Sequence, residues 1–321
     1  MTSQNNTLNI IIFANTNLEF VEPLFKQGVN IVGVIESEDR TTINNPIKRR
    51  IVKFNRLLKG MPSYTSLREF AKTKDIPYLE YKNIDKEQVV EWIKALGADL
   101  LLSHQAPILP EEVFLAPKLG SINIHPTLLP KYRGSNPFFW MFYDEDMVCG
   151  ITLHWIDSGI DTGKIIEQRS LQIQYGTDAD QLERRLVAEL AIPAVLKFLN
   201  QFEENSKTEA QPEKSPTPYA GRVTDEEYRS MLMDKSVSIR RFWHVLHANQ
   251  QWHTALLPEK PDPAFHWVLS HYKEKEQADL HGEVEYKAKS INIHHANGTV
   301  VISRKFNLNR YIVHRLLGWL K

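Results

Sequence analysis

The chain has 321 residues, 42% of them hydrophobic, and its 39 basic side chains balance 39 acidic ones, leaving no net charge. That composition supports a proper globular core and excludes both a disordered chain and a chain-wide attraction to nucleic acid or anionic lipid. The single cysteine, Cys149, excludes an intramolecular disulfide framework and a thiolate metal cluster, which suits a reducing compartment.

The opening MTSQNNTLNIIIFAN lacks the basic start, long apolar core and small-residue cleavage site of a secretory signal. No apolar run approaches the roughly 18 to 20 residues that cross a bilayer, so the expectation is a soluble cytoplasmic protein. LNIIIFAN (Leu8 to Asn15) is a near-continuous apolar run, as in a parallel strand covered on both faces. Leu18, Val21, Leu24 and Phe25 then recur at helical spacing, Gly28 ends that helix, and NIVGVIES is a second buried strand. The turn between the first strand and helix, FANTNLEF, has no glycine triad, which disfavours a dinucleotide site. EDRTTINNPIKRRIVKFNRLLKGMPS, rich in Lys, Arg and Asn, interrupts the alternation and reads as a mobile insertion. A helix over 66–74, a short strand near Tyr78, a helix over 86–96 and the strand ADLLLSHQ follow. A short helix from Pro110, the strand SINIH, a helix after Pro137 and the strand CGITLHWI come next. This order predicts a Rossmann-like, open, mostly parallel α/β sheet, whose ligands bind outside the carboxyl ends of the strands.

Thr177, with Asp180 three residues on, opens a long helix through Leu182, Leu186, Leu190, Val195 and Leu199, bent at Pro193. EENSKTEAQPEKSPTP is charged and proline-containing and reads as a linker. The expected organisation is a first domain over 1–205, a linker over 206–220, and a smaller β-rich domain over 221–321 forming a partial, OB-like barrel. There 236–248 is helical, and WHTALL, FHWVLSHY, GEVEYKAK, SINIHH and TVVISRKF are strands, the last two joined at Asn297-Gly298. The tail LNRYIVHRLLGWLK sets Arg310, Arg315 and Lys321 opposite Ile312, Leu316 and Trp319. Packing on its own domain is the simplest reading of that pattern, with docking on a membrane or a second subunit as the alternative.

Two polar side chains, Asn123 and His125, interrupt the otherwise apolar strand SINIH. Residues two apart on a strand share a face, so both point one way while Ile122 and Ile124 point the other. Pro126 and Pro130 bracket the loop beyond, which ends the strand at His125 and puts both groups at its carboxyl end. The next strand runs into WIDSGIDTGKI, a turn with two aspartates and two glycines. Taken singly, the first is an ordinary core pair and the second an ordinary turn.

Together, NIHPTLLPKYRGSNPFFW and GITLHWIDSGIDTGKII resemble the signature of the 10-formyltetrahydrofolate-dependent formyltransferases, a family that includes sugar N-formyltransferases and methionyl-tRNA formyltransferase. The resemblance runs from Leu8 to about Asn200 and is architectural beyond residue 216. It implies that 1–205 is the catalytic domain and that Asn123, His125 and Asp161 are the catalytic residues. The chemistry agrees: formyl transfer to an amine needs a donor for the oxyanion of the tetrahedral intermediate and a path for the proton the amine sheds. Asn123 can donate its amide N–H, His125 can donate a second hydrogen bond or shuttle a proton, and Asp161 can orient His125 and accept the amine proton. The resemblance further implies 10-formyltetrahydrofolate as cosubstrate in the crevice beside LLSHQAPILP. His104, Gln105, Ala106 and Ile108, with Asp157 and Ile160 of the second turn, are its candidate contacts, mainly through the backbone. No metal is required, and no H-E-x-x-H or Cys-rich spacing is present. His154 reads as a packed strand residue and Cys149 as a small hydrophobe.

The acceptor is set by flanking residues. Family members acting on sugar nucleotides often carry the Pro-x-x-Trp seen at Pro137 to Trp140, so a dTDP- or UDP-linked amino sugar is the expected partner. Lys131, Arg133 or the triplet Lys48, Arg49, Arg50 could meet its diphosphate, with Tyr132 in the same loop. Asn15 and Thr16, opening the first helix, could meet a phosphate through backbone N–H groups. A tRNA substrate needs a basic second domain, and the excess of Lys and Arg after residue 216 is mild, so nucleic acid is disfavoured. Methionyl-tRNA formylation is the runner-up, a small amine such as hydroxyornithine is a third reading, and a homodimer through the second domain is plausible. A binding protein that had lost activity would be expected to lack Asn123, His125 or Asp161, and all three are present.

Overall fold

A computed structural model of the chain describes residues 8–15, 18–38, 50, 64–202, 208–248, 252–257, 265–275 and 280–306. Thr16, Lys48, Arg49, most of the insertion after Glu38 and the amphipathic tail lie outside the described residues. The chain forms two compact units: the first is Met1–Gly134, Gly150–Leu171 and Glu183–Tyr219, and the second is Ser135–Cys149, Gln172–Leu182 and Ala220–Lys321.

Among the described residues, the first unit is built on a sheet of seven strands, two of which have ends in the second: β1 (Ile10–Ala14), β2 (Ile31–Glu36), β3 (Tyr78–Glu80), β4 (Leu100–His104), β5 (Ser121–His125), β6 (Val148–Trp155) and β7 (Ile165–Gln172). Their spatial order is β3-β2-β1-β4-β5-β6-β7. Strands β3, β2, β1, β4 and β5 pair in parallel, and β6 joins β5 antiparallel. The direction of building reverses between β1 and β4, the kind of switch point where open sheets place their ligands.

Both faces of the parallel part are covered. Ile11 and Phe13 of β1 and Leu101 of β4 enter one buried cluster with Val89 and Ile93 of α3 (Lys86–Ala95) and Val113 and Phe114 of α4 (Glu111–Phe114). By strand alternation, Ile10 and Ile12 face the other side. There α1 (Leu18–Lys26) packs on the helical segment Leu186–Asn200, while α2 (Leu67–Thr73) is N-capped by Ser66. The capping oxygen of Ser66 accepts the N–H of Glu69.

The expected long helix is interrupted. α6 (Ala179–Arg185) and α7 (Ile192–Asn200) are separated by a π-helical turn, Leu186–Ala191, just before Pro193, whose missing N–H and ring disturb the ladder. Its N-terminal hydrogen bond comes from Asp178, which accepts Gln181 N–H at 3.0 Å, while Thr177 Oγ1 turns back to Gln174 O.

In the second unit, α5 (Pro137–Tyr143), α8 (Asp225–Met233), α9 (Ile239–Leu246) and α10 (Trp252–Leu256) accompany an antiparallel sheet of β8 (Phe265–Glu274), β9 (Val284–Tyr286), β10 (Ser290–His295) and β11 (Gly298–Phe306). The sheet order is β8-β11-β10-β9, so it is open among the described residues. The β10–β11 hairpin turns where expected, with His295 opposite Gly298. WHTALL is corrected: Trp252–Leu256 is a helix whose Trp252, Ala255 and Leu256 are buried, an apolar spacing of three and four that fits a helix face. A further helix, α8, is started by Thr224, whose backbone N–H donates to Glu227 three residues on.

Candidate active site

Strand β5 presents its polar pair through its two neighbours. On one side Ser103 and His104 of β4 lie beside Asn123 and Ile124; on the other, Asn123 opposes His154 and His125 opposes Thr152 of β6. Directly opposed residues share a face, so the antiparallel register brings His154 to the side of the sheet that Asn123 occupies. His125 and His154 are buried, and Asn123 is half-buried.

The third group arrives on the turn after β6. Asp157 Oδ1 accepts the backbone N–H of Gly159 at 3.1 Å and the hydroxyl of Thr162 at 2.6 Å, folding the segment on itself. Gly163 is dictated by a close approach, since a Cβ there would lie 1.8 Å from the Trp155 carbonyl oxygen. Between these fixtures Asp161 is held at φ 52°, the left-handed region that non-glycine residues seldom enter. Its carboxylate thereby meets the β5 residues. Oδ2 accepts Gly134 N–H at 2.9 Å and lies 3.5 Å from His125 Nδ1. Oδ1 lies 3.5 Å from Asn123 Nδ2 and 3.7 Å from His154 Nε2.

The hydrogen-bond partners assign the protons. His125 Nε2 is 3.0 Å from the carbonyl oxygen of Tyr132, which can only accept, so Nε2 carries hydrogen. Nδ1 is then the nitrogen that faces Asp161 Oδ2. His154 Nδ1 is 2.8 Å from the Trp155 carbonyl and must donate to it. Its bare Nε2 accepts from Asn123 Nδ2 at 3.2 Å. Burial pushes the His154 imidazole down to about 4, against the opposing pull of the Asp161 carboxylate, so it is neutral near pH 7 and keeps that acceptor. Asn123 is thus held by one N–H, while its second makes only a long contact with Asp161 that a ligand oxygen could replace.

The structure brings Asn123, His125 and Asp161 together as the sequence expects, and it adds His154. The other candidates divide. Ile108 on the loop after β4 is 76% exposed and Ile160 on the turn after β6 is 41% exposed, so both are open to an apolar ligand surface. Ala106 packs on the α3–α4 cluster, and Asp157 serves the turn itself. Gln105, exposed and at φ 57°, donates its side chain to Glu183. The His104 ring stacks on Phe20 at 4.7 Å and is buried, which pushes its pKa down to about 4 by desolvation and leaves the backbone as its route to a cofactor.

Among the candidates for the acceptor, Asn15 accepts the Ser37 hydroxyl at 2.8 Å, joining the ends of β1 and β2. Lys131 and Arg50 are exposed. Tyr132 is buried and acts through its main chain, its N–H donating to Thr217 Oγ1 at 2.7 Å. Arg133 is corrected as a diphosphate ligand: it is buried, and its guanidinium donates to Gln211 Oε1 at 2.8 Å and to the carbonyls of Pro212 and Glu213. Trp140 belongs to the second unit, where its indole N–H donates to the Gly221 carbonyl at 3.0 Å. Residues 208–219, expected within a linker, instead belong to the first unit and bond to the loop after β5. Their polar side chains find fixed partners there, which composition alone does not reveal. His154 is the packed strand residue that the sequence predicts, but its place beside Asn123 depends on the register of β6, for which the alternation of CGITLHWI is the available signal.

The family model described as "Formyl transferase" matches residues 14–195, and the chain belongs to that family. A methionyl-tRNA formyltransferase of Thermotoga maritima is 28% identical over 221 residues, which are 68% of this chain and 66% of that protein. The chain thus spans just under two thirds of the length of this curated relative. One from Flavobacterium psychrophilum is 27% identical over 264 residues, 80% of this chain and 82% of that protein. Among solved structures, WlaRD, a sugar 3N-formyltransferase seen with dTDP and 5-N-formyl-THF, aligns over 94% of this chain and 99% of its own, with a TM-score of 0.60 and 18% identity. An N-formyltransferase of Helicobacter canadensis, solved with folinic acid and dTDP-3-aminofucose, aligns over 93% and 100% with the same TM-score and identity. These likenesses show a shared fold.

Proposed function

We propose that this protein transfers the formyl group of 10-formyltetrahydrofolate to the amine of a nucleotide-linked deoxyamino sugar. The observation that carries the reading is the convergence of Asn123, His125 and Asp161 at the carboxyl end of β5. A neutral amine attacks the formyl carbon, and the carbonyl electron pair moves to oxygen. The second N–H of Asn123 donates to that oxyanion in place of its long contact with Asp161. The attacking nitrogen becomes positive and gives its proton to the Asp161 carboxylate, with His125 Nδ1 sharing it. The oxyanion pair then re-forms the carbonyl as the carbon–nitrogen bond to the folate breaks, and the departing folate nitrogen takes up the proton held by Asp161 and His125. Exposed Ile108 and Ile160 suit the aromatic rings of the folate, with backbone groups of Gln105 to Ile108 and of Asp157 to Ile160 as its polar contacts. Lys131, exposed on the loop after β5, is the cation this reading assigns to a diphosphate.

The sugar acceptor is supported by the two sugar N-formyltransferases whose folds cover nearly the whole chain, and by the Pro137 to Trp140 pattern. Methionyl-tRNA is the second reading, favoured by the naming of the curated relatives. Release of tetrahydrofolate can be followed while dTDP- and UDP-linked amino sugars, methionyl-tRNA and hydroxyornithine are offered in turn. Release with a sugar nucleotide supports the proposal, and no release with any amine would refute formyl transfer itself.

A further inference from the structure

Gln211 lies in a stretch that reads as a linker, yet its side chain ties together the two loops that form the site. Nε2 donates to the backbone carbonyl of Asp161 at 3.1 Å and to that of Gly163 at 2.7 Å. Oε1 accepts the Arg133 guanidinium at 2.8 Å, and Arg133 is next to Gly134, whose N–H donates to Asp161 Oδ2. Both hydrogens and the oxygen of this one amide are engaged. Around it the same stretch is pinned again: Ser215 Oγ donates to the Pro130 carbonyl at 2.6 Å, and Thr217 Oγ1 accepts Tyr132 N–H. Glu209 and Ile165 exchange two backbone hydrogen bonds at 2.8 Å at the start of β7.

A non-glycine residue at positive φ costs free energy and persists only where its surroundings over-determine it. Asp161 is such a residue, and Gln211 is the side chain that grips its carbonyl from outside the turn. We infer that Gln211 is a positioning residue that holds Asp161 in its left-handed conformation, and that residues 209–217 are a strap forming part of the site. The amide is the fitting group, since two carbonyls need two donors while Arg133 needs an acceptor. Glutamate has the same shape and keeps the Arg133 contact, yet it offers the two carbonyls no hydrogen. The catalytic half of this inference rests on the formyl-transfer reading, and the structural half does not.

The test uses the full chain with Gln211→Glu and Gln211→Met. Amide hydrogen exchange is read first, in the absence of substrate. The Gly134 amide, bonded to Asp161, should exchange about tenfold faster in both variants, the scale of one lost hydrogen bond. The Leu101 amide, bonded to Gly120 O within the sheet region, should be unchanged. Equal acceleration of both amides would mean general loosening, and no acceleration at Gly134 would overturn the positioning role. Turnover is read second, with the amine that the protein formylates. kcat should fall at least tenfold with KM for folate nearly constant. In an Asp161→Asn background, Gln211→Glu should lower the residual rate no further. An additive loss, or a loss confined to KM, would overturn the link to Asp161. Absence of turnover in the unaltered protein would sink the formyl-transfer reading and leave the exchange result to judge the strap.

Discussion

Asn123 donates its side-chain amide to Nε2 of His154 at 3.2 Å across the β5–β6 pairing, and His154 is in turn fixed by donating Nδ1–H to the Trp155 carbonyl. The chain of contacts runs one way, from the backbone of β6 through a neutral imidazole to the amide proposed to meet the oxyanion. His154→Phe should therefore preserve the fold and lower kcat about tenfold, the scale of one lost orienting hydrogen bond. KM for the folate should hardly change, and His154→Asn should recover part of the rate. Steady-state kinetics of the three proteins checks this, and an unaltered kcat in His154→Phe would remove the role.

That same imidazole sets an acid limit. With its pKa lowered to about 4 by burial, His154 protonates only well below neutrality, and a protonated ring cannot accept from Asn123. The unaltered protein should lose activity as pH falls toward 4, and in His154→Asn this loss should flatten. pH–rate profiles over the range in which both proteins stay folded make the comparison.

The groups proposed to act on the formyl carbon should be far more costly to remove. Asn123→Ala deletes the proposed oxyanion donor, and His125→Ala deletes the partner of Asp161; each should lower turnover about a hundredfold or more. Circular dichroism should show both variants folded. A rate near that of the unaltered protein in either would overturn the assigned role.

His104 gives a prediction about stability. Burial holds its folded-state pKa near 4, below the usual 6.5, so the unfolded chain binds the proton more readily. The stabilising effect of keeping it neutral is present above pH 6.5 and is lost as pH falls through 4. His104→Leu keeps an apolar neighbour for Phe20 and should reduce the loss of stability between those limits by on the order of 3 kcal/mol. Urea unfolding at neutral and acid pH measures it; identical slopes in both proteins would contradict the assignment.

Gly163→Ala tests the turn that throws Asp161 into place. The added Cβ would meet the Trp155 carbonyl oxygen at 1.8 Å, so the turn must shift. A loss of on the order of 1–3 kcal/mol in stability is expected, together with a fall in turnover larger than that loss can explain. Thermal unfolding and kinetics on the same sample separate the two.

What was legible in the sequence follows from how far each signal reaches along the chain. Strand alternation and hydrophobic runs are local, and they revealed the parallel sheet and the shared face of Asn123 and His125. The motif DSGIDTG pointed to Asp161, although its positive φ and its reach to Gly134 appear only in three dimensions. His154 depended on an antiparallel register, and Gln211 on a contact fifty residues away in sequence from Asp161. Arg133 misled for a related reason. A basic residue in a loop looks available for phosphate until a chain segment with free carbonyls packs over it. In the second unit, WHTALL has aromatic and β-branched residues that suit a strand, and its burial on one side of α10 overrode that preference.

The central claim is the transfer of a formyl group to a sugar-linked amine, and a direct competition tests it. Equal concentrations of a dTDP-linked amino sugar and methionyl-tRNA are incubated together with the protein and 10-formyltetrahydrofolate carrying a labelled formyl carbon, and label is counted in each product. The account predicts label in the sugar nucleotide as an amide and little in the tRNA. Label found in methionyl-tRNA with none in the sugar would contradict it.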